Sequence, residues 1–554
     1  MFSKKAVLFI LSVLISALVI GACAPPVSPN SPSAPVPQAT GLVTLRIVAD
    51  DAIRAMEDKG ILADFTKTSG IGLSIEYKGS IDIKNQVLAI AKNNPRTVDA
   101  FWPASSIWLP GSTVQNQQSV ARTYVVLAVN PTTAKSLGWD TTRGISVQDL
   151  VTAIKNGKVS LAMPSATQTD LGAMFYLAFV STLKGTPGVT LHDDLSKPEV
   201  VEGSKTILSA VKRGAESAAT LKNVFVDDQL SVAPKYNAAV LYENLAIEAN
   251  QALSAKGKEP LRIFYVKGAT ALADAPLGFV DNGDPAKKEA FDKLVEFLQS
   301  EPVQRKILTT GWRNATIGMR VQGADPAIFN PAWGVNVTTE FPAVVLPKDA
   351  VIAEALDLYQ TAYRNPSYTA FCLDISGSMA GNGGIVKVKE AMDTLLDQTK
   401  AAQNGLGATK NDQYVVYAFN NGVRRVGAVN GNDPTALKSL SGQVASLQAD
   451  GGTAMYDCVV TALEDIRKSY DPSQLNYAVI AMTDGQTNSG RNSANFEQYY
   501  KDLVNKNQHI PTFAIGFGSA DENQLKLLAK ITSGEFFDGS KDLILAFRKA
   551  RGSQ

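Results

Sequence analysis

Short apolar runs alternate with stretches of helical apolar spacing along most of this chain, starting near residue 43. The runs at 44–49 and 72–77 are typical of buried strands, and apolar residues with helical spacing over 53–68 and 83–92 predict helices around them. Strands that alternate with helices at this spacing predict a parallel, doubly wound α/β sheet.

A second lobe is predicted further along the chain, between two extended crossings. The run at 121–130 would carry the chain out of the first lobe, and the run at 262–266 would lead it back. Between these crossings, apolar runs at 159–165 and 238–243 predict further strands. We therefore expect a two-lobed α/β region over residues 43–345.

The last part of the chain has the clearest alternation of strands and helices. The predicted strands are 368–373, 414–419, 477–482 and 512–517. The predicted helices are 386–401, 454–468, 496–506 and 521–531. We expect a doubly wound α/β domain over residues 367–554, joined to the first region by a bridging helix and linker over 346–366.

The first residues have the pattern of an export signal. Lys4 and Lys5 precede an apolar stretch, 6–22, which ends in Gly-Ala before Cys23. This ending resembles the lipobox of bacterial lipoproteins, which implies a signal peptide over 1–22 and lipidation of Cys23. The alternatives are an ordinary signal peptide and an uncleaved anchor helix, although the apolar stretch is short for a spanning helix. We expect a lipid anchor in the cell membrane, on its extracytoplasmic face.

Residues 23–42 form a linker that is rich in proline and serine. Such a composition favours an extended, semi-rigid spacer and does not build a core. The linker would hold the folded part of the chain away from a membrane surface.

Length and charge limit the classes of function. With 554 residues, the chain is too long for one hydrophobic core. A formal net charge of +1 predicts no electrostatic attraction to nucleic acid, which is not expected as a partner. The two histidines, His192 and His509, are far apart in sequence, and the hydrolase, phosphate-binding and zinc-protease motifs are absent from the sequence. We expect no enzymatic activity.

Two cysteines, Cys372 and Cys458, remain after the candidate for lipidation. Exported proteins can form disulfides, so the two could be bonded to each other. The alternative is a pair of buried thiols that pack as small hydrophobic side chains. Because the geometry that a disulfide needs is strict, the sequence favours unlinked thiols.

Oxygen-bearing side chains follow two of the predicted strands in the last domain. Asp374, Ser376 and Ser378 come after its first strand, Thr453 lies in a Gly-Gly-Thr loop, and Asp484 ends the strand at 477–482. Because strand ends of a parallel sheet meet at one edge, we expect these five side chains to lie together. Hydroxyls and carboxylates suit a hard divalent cation: Mg²⁺, or another such as Mn²⁺ or Ca²⁺. Helix capping and a turn would explain each of these residues singly.

The spacing Asp-x-Ser-x-Ser, then Thr, then Asp resembles the metal-ion-dependent adhesion site of von Willebrand factor A domains. The resemblance implies that the hydroxyls of Ser376, Ser378 and Thr453 and the carboxylates of Asp374 and Asp484 hold the metal, directly or through water. It also implies an open coordination position, which an acidic side chain of a protein partner would fill.

The two-lobed region resembles the extracellular solute-binding proteins of bacterial transporters. The likeness rests on Met163-Pro164-Ser165 with Asp170-Leu171-Gly172 downstream, on Ala273-Asp274-Ala275-Pro276-Leu277-Gly278, and on Glu301-Pro302-Val303-Gln304 before Gly311-Trp312. It implies two lobes that close over a small-molecule solute. The candidate solute contacts, which follow predicted strands, are Asp50, Ser80, Ser105, Ser165, Thr167 and Tyr242. Serine and threonine at strand ends are also common helix caps.

These features lead to two hypotheses of function. In the first, a membrane-anchored binding protein engages a macromolecular partner through the metal site, and the solute-binding region serves as a sensor or second binding module. In the alternative, the chain is the solute receptor of an ABC-type transporter. A third interpretation, a cytoplasmic assembly factor beside an ATPase, conflicts with the export signal.

Overall fold

Three β-sheets with helices on their faces make up the part of the chain that the computed structural model describes. These residues are 43–92, 94–141, 143–186, 188–315, 324–335, 337–381 and 383–553. The predicted signal peptide (1–22), the linker (23–42) and the lipidation residue Cys23 lie outside the described residues. Among the described helices, none combines the length and the apolar character needed to cross a membrane.

The elements of the N-terminal region are numbered in chain order. Its strands are β1 (Thr44–Asp50), β2 (Gly72–Lys78), β3 (Ala100–Trp102), β4 (Gln115–Ser119), β5 (Ala121–Val129), β6 (Leu161–Ala162), β7 (Val211–Arg213), β8 (Ala238–Tyr242), β9 (Arg262–Phe264), β10 (Leu272–Ala273), β11 (Pro276–Phe279) and β12 (Arg313–Asn314). Its helices are α1 (Arg54–Asp58), α2 (Ile61–Ser69), α3 (Ser80–Ala91), α4 (Pro131–Ser136), α5 (Val147–Lys155), α6 (Asp170–Leu183), α7 (Pro198–Ser209), α8 (Ala218–Leu230), α9 (Glu243–Ala255), α10 (Pro285–Gln299) and α11 (Glu301–Leu308).

The strands of this region form two sheets, which define two lobes. Lobe 1 has the strand order β2-β1-β3-β11-β4, and lobe 2 has the order β10-β5-β8-β6-β7, with β9 and β12 also paired to β5. The predicted parallel pairing in lobe 1 holds for β1, β2 and β3, but β11 runs antiparallel to both β3 and β4, so the sheet is mixed. The physical reason is that β11 belongs to the returning crossing, so it enters the sheet from the opposite direction.

One predicted helix of lobe 1 is broken. Gly60, with φ of +71°, lies between α1 and α2, within the predicted helix over 53–68. This left-handed conformation is accessible to glycine at little cost and ends a right-handed helix. The chain therefore turns at Gly60, and α2 packs Phe65 into the core of the lobe.

The elements of the C-terminal domain continue the numbering. They are α12 (Asp349–Leu358), β13 (Ser367–Asp374), α13 (Gly384–Leu396), α14 (Gln398–Gln403), β14 (Gln413–Phe419), β15 (Val423–Asn430), α15 (Pro434–Ala445), α16 (Met455–Arg467), β16 (Asn476–Thr483), α17 (Ser493–Asn505), β17 (Thr512–Gly516), α18 (Glu522–Thr532), β18 (Phe536–Asp538) and α19 (Leu543–Gly552). The bridging helix α12 continues into one π-helical turn, Tyr359–Tyr363.

The central strand of the third sheet is β13. The strand order is β15-β14-β13-β16-β17-β18, and all strands are parallel except β15. Every residue of β13 is buried, because one face packs Phe371 and Leu373 against α13 and α19 while the other packs Ala370 against α16. The next strand along the chain, β14, lies on one side of β13 and β16 lies on the other. The carboxyl end of β13 is therefore a switch point, where open α/β sheets bind their ligands.

A disulfide joins the sheet to one of its helices. Cys372 on β13 and Cys458 on α16 are bonded, with their Cα atoms 5.9 Å apart, and both are fully buried. The preference for unlinked thiols is therefore wrong. Strand alternation points Cys372 to the face that α16 covers, and this contact between distant segments is not visible in sequence spacing.

Candidate metal site and solute cleft

The five predicted metal ligands meet at the carboxyl edge of the third sheet. Asp374 is the last residue of β13, and Ser376 and Ser378 occupy the turn that follows. Asp484 follows β16, the parallel neighbour of β13, and Thr453 comes from the loop before α16.

Hydrogen bonds connect four of these residues directly. The backbone N–H of Ser376 donates to Oδ1 of Asp374 at 2.7 Å. The hydroxyls of Ser376 and Ser378 are 3.0 Å apart, and the hydroxyl of Ser378 donates to Oδ1 of Asp484 at 2.6 Å. Asp374 and Ser376 are buried and Ser378 is exposed, so the group is open to the outside at Ser378.

Thr453 joins the group across Gly485. A Cβ atom at Gly485 would lie 3.2 Å from the hydroxyl oxygen of Ser378 and 3.6 Å from that of Thr453. The hydroxyls of Ser378 and Thr453 therefore both lie beside Gly485, where a larger residue would contact them. The backbone N–H of Thr453 donates to Oδ1 of Asn488 at 2.8 Å, which fixes its loop. The structure thus brings all five predicted residues together.

Three supporting residues escaped the sequence reasoning. Thr483, at the end of β16, donates its hydroxyl to Oδ2 of Asp374. Asn421 accepts from the backbone N–H of Gly452 at 2.7 Å, and Asn488 holds Thr453 as described. The position of Thr483, directly before Asp484, is the one sequence signal that could have identified a member of this set.

The two carboxylates of the site lack a compensating cation. Burial raises the pKa of Asp374, and the charge of Asp484 raises it further, while burial also raises the pKa of Asp484. In the described part of the chain, neither Asp374 nor Asp484 forms an ion pair with Lys, Arg or His. Paired carboxylates without a countercharge favour a bound cation, because a cation reverses this electrostatic cost.

The chemistry of the donor set fits a hard divalent ion. Two carboxylates and three hydroxyls supply only oxygen, which Mg²⁺ and Ca²⁺ prefer, and an incomplete protein cage leaves room for the waters that Mg²⁺ keeps. The described residues contain no group of three or more His, Cys, Asp or Glu side chains arranged to hold a metal. A metal here would depend on the hydroxyls as much as on the carboxylates.

A separate cavity of about 70 Å³ lies between the two lobes of the N-terminal region. Two of the six predicted solute contacts line it: Asp50 at the end of β1 in lobe 1, and Tyr242 at the end of β8 in lobe 2. Asp170, at the start of α6, also lines the cavity and accepts hydrogen bonds from the hydroxyl of Tyr242 and the indole of Trp108. The sequence indicated Asp170 only as part of a fragment typical of solute-binding proteins, and not as a solute contact.

The other four predicted solute contacts lie elsewhere around the cleft. Ser80 donates its backbone N–H to Oδ2 of Asp50 at 2.8 Å, so it positions that carboxylate. Ser105 is buried, and its carbonyl accepts from the backbone N–H of Trp108. The hydroxyls of Ser165 and Thr167 are 3.1 Å apart, and Thr167 donates to Oε1 of Gln360 at 3.2 Å, in the bridging segment. Their role as solute contacts stays a prediction.

Burial raises the pKa of the two carboxylates in the cleft, Asp50 and Asp170. Desolvation raises the pKa of Asp50 to about 6, although hydrogen bonds from Ser80 and Ala52 oppose the shift. Desolvation raises the pKa of Asp170 to about 7, and the charge of Asp50 adds to it against the hydrogen bonds from Tyr242 and Trp108. The base of the cleft is therefore acidic and titrates near neutral pH.

Two sequence families account for most of the chain. Residues 45–313 match the bacterial extracellular solute-binding protein family, and residues 370–544 match the von Willebrand factor type A domain. The chain joins an extracellular solute-binding domain to a von Willebrand factor A (VWA) domain. The first match indicates an extracytoplasmic protein, and both domains are of binding type. The comparison with curated proteins found no match.

Solved structures resemble each domain at low sequence identity. A von Willebrand factor type A protein from Catenulispora acidiphila is 20% identical, with a TM-score of 0.29, over 35% of this chain and 43% of that protein, so the chain spans less than half of its length. The periplasmic binding protein AfuA from Actinobacillus pleuropneumoniae, solved with fructose-6-phosphate, is 14% identical, with a TM-score of 0.38, over 53% of this chain and 95% of AfuA. Iron-bound HitA from Pseudomonas aeruginosa is 17% identical, with a TM-score of 0.40, over 57% of this chain and 98% of HitA. The predicted fold class, a two-lobed solute-binding region followed by a doubly wound VWA domain, is confirmed by the two family matches and by the sheets described above.

Proposed function

We propose that this chain is a lipid-anchored, extracytoplasmic binding protein whose VWA domain engages a protein partner through a divalent cation. The solute-binding domain would act as a sensor or second binding module, and the chain would have no enzymatic activity. The observation that carries the proposal is the convergence of Asp374, Ser376, Ser378, Thr453 and Asp484 at the carboxyl edge of one sheet, where Ser378 is exposed.

Three of the five residues have distinct parts in the proposed site. Asp374, buried and held by Thr483, would supply the fixed charge, and Asp484 would supply the second. Ser378, the exposed member, lies where a partner would approach. When bound, Mg²⁺ would supply a Lewis-acidic position for a carboxylate of the partner.

Metal titration of the full chain tests the proposal. Calorimetry with Mg²⁺, and electron paramagnetic resonance with Mn²⁺, should detect one bound ion in the wild type. Asp374→Asn should abolish the signal, as should Thr453→Ala, which removes a hydroxyl and no charge. Asp502→Asn removes an exposed carboxylate on α17 and should leave binding unchanged. Equal binding in the wild type and in both site variants would refute the site.

The alternative function is a solute receptor for an ABC-type transporter. The cavity between the lobes favours it, because both lobes contribute lining residues, Asp50 from lobe 1 and Tyr242 from lobe 2 among them. A permease and an ATPase encoded beside this gene, together with association of the purified chain with that permease, would support the alternative. Loss of partner binding in Asp374→Asn, with binding to the permease retained, would favour the metal-dependent function.

A further inference from the structure

The last helix of the VWA domain lies at the mouth of the solute cleft. Leu545, Arg548 and Lys549 of α19 line the same cavity as Asp50 and Tyr242. The cavity is therefore closed partly by a different domain of the same chain, and α19 occupies space through which a solute would pass.

Arg548 connects this helix to lobe 1. Its Nη1 lies 3.0 Å from Oδ1 of Asp82, which is on α3. Its Nε donates to the carbonyl of Asn404 at 3.0 Å, so the guanidinium is also fixed to its own domain. The side chain of Arg548 is only 14% exposed, which limits screening of the pair by solvent.

Lys549 connects the same helix to lobe 2. Its Nζ lies 2.8 Å from Oε2 of Glu216, which sits between β7 and α8. Consecutive helical residues point about 100° apart around the axis, so Arg548 and Lys549 reach opposite walls of the cleft from one turn. A single turn of α19 is thus bonded to both lobes.

The charges of the cleft are opposite to those of Arg548 and Lys549 on α19. The residues of the two lobes that line the cavity carry acidic side chains at Asp50, Asp51, Asp82, Asp170 and Glu216. Among the described lining residues of the lobes, Lys78 is the one basic side chain, and it pairs with Glu76 at 3.0 Å. A cationic pair on α19 is therefore complementary to the cleft.

Contacts outside α19 also attach the VWA domain to lobe 2. Asn365, just before β13, donates to the carbonyl of Val211 in lobe 2 at 3.0 Å, and Lys212 donates to the carbonyl of Pro472 at 3.3 Å. A Cβ atom at Gly552, the last residue of α19, would lie 2.2 Å from the side-chain oxygen of Gln168. The backbone of α19 is therefore in close contact with the side chain of Gln168, in the loop before α6 of lobe 2. If lobe 1 moves away from lobe 2, the pair of Asp82 with Arg548 must break.

We propose that α19 is an autoinhibitory brace, in which Arg548 and Lys549 hold the two lobes together and obstruct the solute cleft. A solute would enter only after the pairs with Asp82 and Glu216 break. The inference rests on the proposed solute-binding role of the N-terminal region, and it is independent of the metal site.

The distance between the lobes tests the brace. Spin labels at Lys67→Cys on α2 and Lys155→Cys on α5 report on lobes 1 and 2, in the full chain with Cys23→Ser so that the two new cysteines are the labelled thiols. Wild-type residues at 548 and 549 should give one narrow distance distribution. Arg548→Glu with Lys549→Glu should broaden the distribution and shift it to longer distances.

Two further variants separate the brace from a folding defect. Lys438→Glu with Lys530→Glu makes the same change in charge at exposed positions of the VWA domain and should leave the distribution narrow. Exchanging the charges, with Asp82→Arg and Arg548→Asp, should narrow the distribution again relative to Arg548→Asp alone. An unchanged distribution in the double charge reversal, or no recovery in the exchange, would overturn the brace. Titration with Mg²⁺ in the same samples tests the proposed metal function separately.

Discussion

Ser378 and Asp484 are 106 residues apart in the sequence, and the hydroxyl of the first donates to the carboxylate of the second at 2.6 Å. This bond joins the turn after β13 to the end of β16, and it lies at the exposed side of the proposed metal site. A hydroxyl in this position can bond the carboxylate when the cation is absent and offer its oxygen to the cation when it is present.

The first prediction concerns that hydroxyl. Ser378→Ala should weaken Mg²⁺ binding at least tenfold, about 1.4 kcal/mol, because one oxygen donor is lost while both carboxylates remain. Calorimetric titration of the full chain measures the change. Ser441→Ala is a matched control, since Ser441 also donates to an aspartate, Asp393, at 3.0 Å, but on α15. If the two variants bind Mg²⁺ equally, Ser378 has only a structural role.

The metal-site residues could be predicted because each belongs to a local pattern. Asp-x-Ser-x-Ser directly follows an apolar run, and the end of a buried strand in a parallel sheet fixes its position in space. The cleft could not be predicted in the same way. Its lining combines Asp170, which starts a helix, with Arg548, which is 466 residues from its partner Asp82. No local pattern carries a contact of that separation.

The differences in fold have equally specific causes. The sequence predicts a single helix over 386–401, but Asp397 adopts an extended conformation and caps the backbone of Thr399 and Lys400, which starts a new helix. In the C-terminal domain, strands β15 and β18 and helices α15 and α19 were not predicted. β15 lies at the sheet edge with few buried residues, so the apolar periodicity that marks a core strand is weak there.

The second prediction concerns the pH dependence of stability in the solute-binding domain. The pKa of Asp170 is raised to about 7, so the folded state holds this proton more tightly than the unfolded chain does. The free energy of unfolding should therefore fall as pH rises from about 4 through 7, and it should stay lower above that. Asp170→Asn removes this dependence. Its stability relative to wild type should rise between pH 5 and pH 8 by on the order of 2–3 kcal/mol.

Tryptophan fluorescence during urea unfolding measures this effect, since all the tryptophans lie in the N-terminal region of the chain. Asp194→Asn is the control, because the pKa of Asp194 is shifted in the opposite direction to that of Asp170. The hydrogen bond from Lys197 lowers the pKa of Asp194, so its contribution is lost only as pH falls through the acidic range. The control should therefore show a constant difference from wild type over pH 5 to 8. A constant difference for Asp170→Asn as well would contradict the raised pKa.

The third prediction concerns the junction between the two domains. Asp412 is fully buried and accepts hydrogen bonds from Arg364, at the end of the bridging segment, and from the backbone of Ser367 at 2.7 Å, where β13 begins. Burial alone would raise the pKa of Asp412, but the charge and hydrogen bond of Arg364, the charge of Arg551 and the hydrogen bond from Ser367 together outweigh it, and the pKa is lowered. Arg364→Met should destabilise the VWA domain by about 3 kcal/mol, because it leaves a buried carboxylate with less compensation. This value is at the low end of the usual cost of breaking a buried ion pair, because the charge of Arg551 also stabilises the ionised carboxylate of Asp412.

Calorimetric unfolding of the full chain measures the loss, as the VWA domain contains no tryptophan. Adding Asp412→Asn to Arg364→Met should recover part of the stability, since it removes the uncompensated charge. Additive losses in the double variant would mean that the two residues do not interact, against the contacts described.

The fourth prediction concerns the disulfide between Cys372 and Cys458. The bond closes a loop with a sequence separation of 86 residues, which includes β14, β15 and the loop that carries Thr453. Replacing both cysteines by alanine should lower the free energy of unfolding of the VWA domain by about 2–5 kcal/mol, because the unfolded chain regains the conformations that the bond excludes. Calorimetry of the full chain, with and without the substitutions, measures the difference. Both sulfurs are fully buried, so a reductant should act on the wild type only when denaturant is present. Thiol titration of the denatured, unreduced protein gives the decisive control: if Cys372 and Cys458 both react, the bond is absent and the expected loss of stability has no basis.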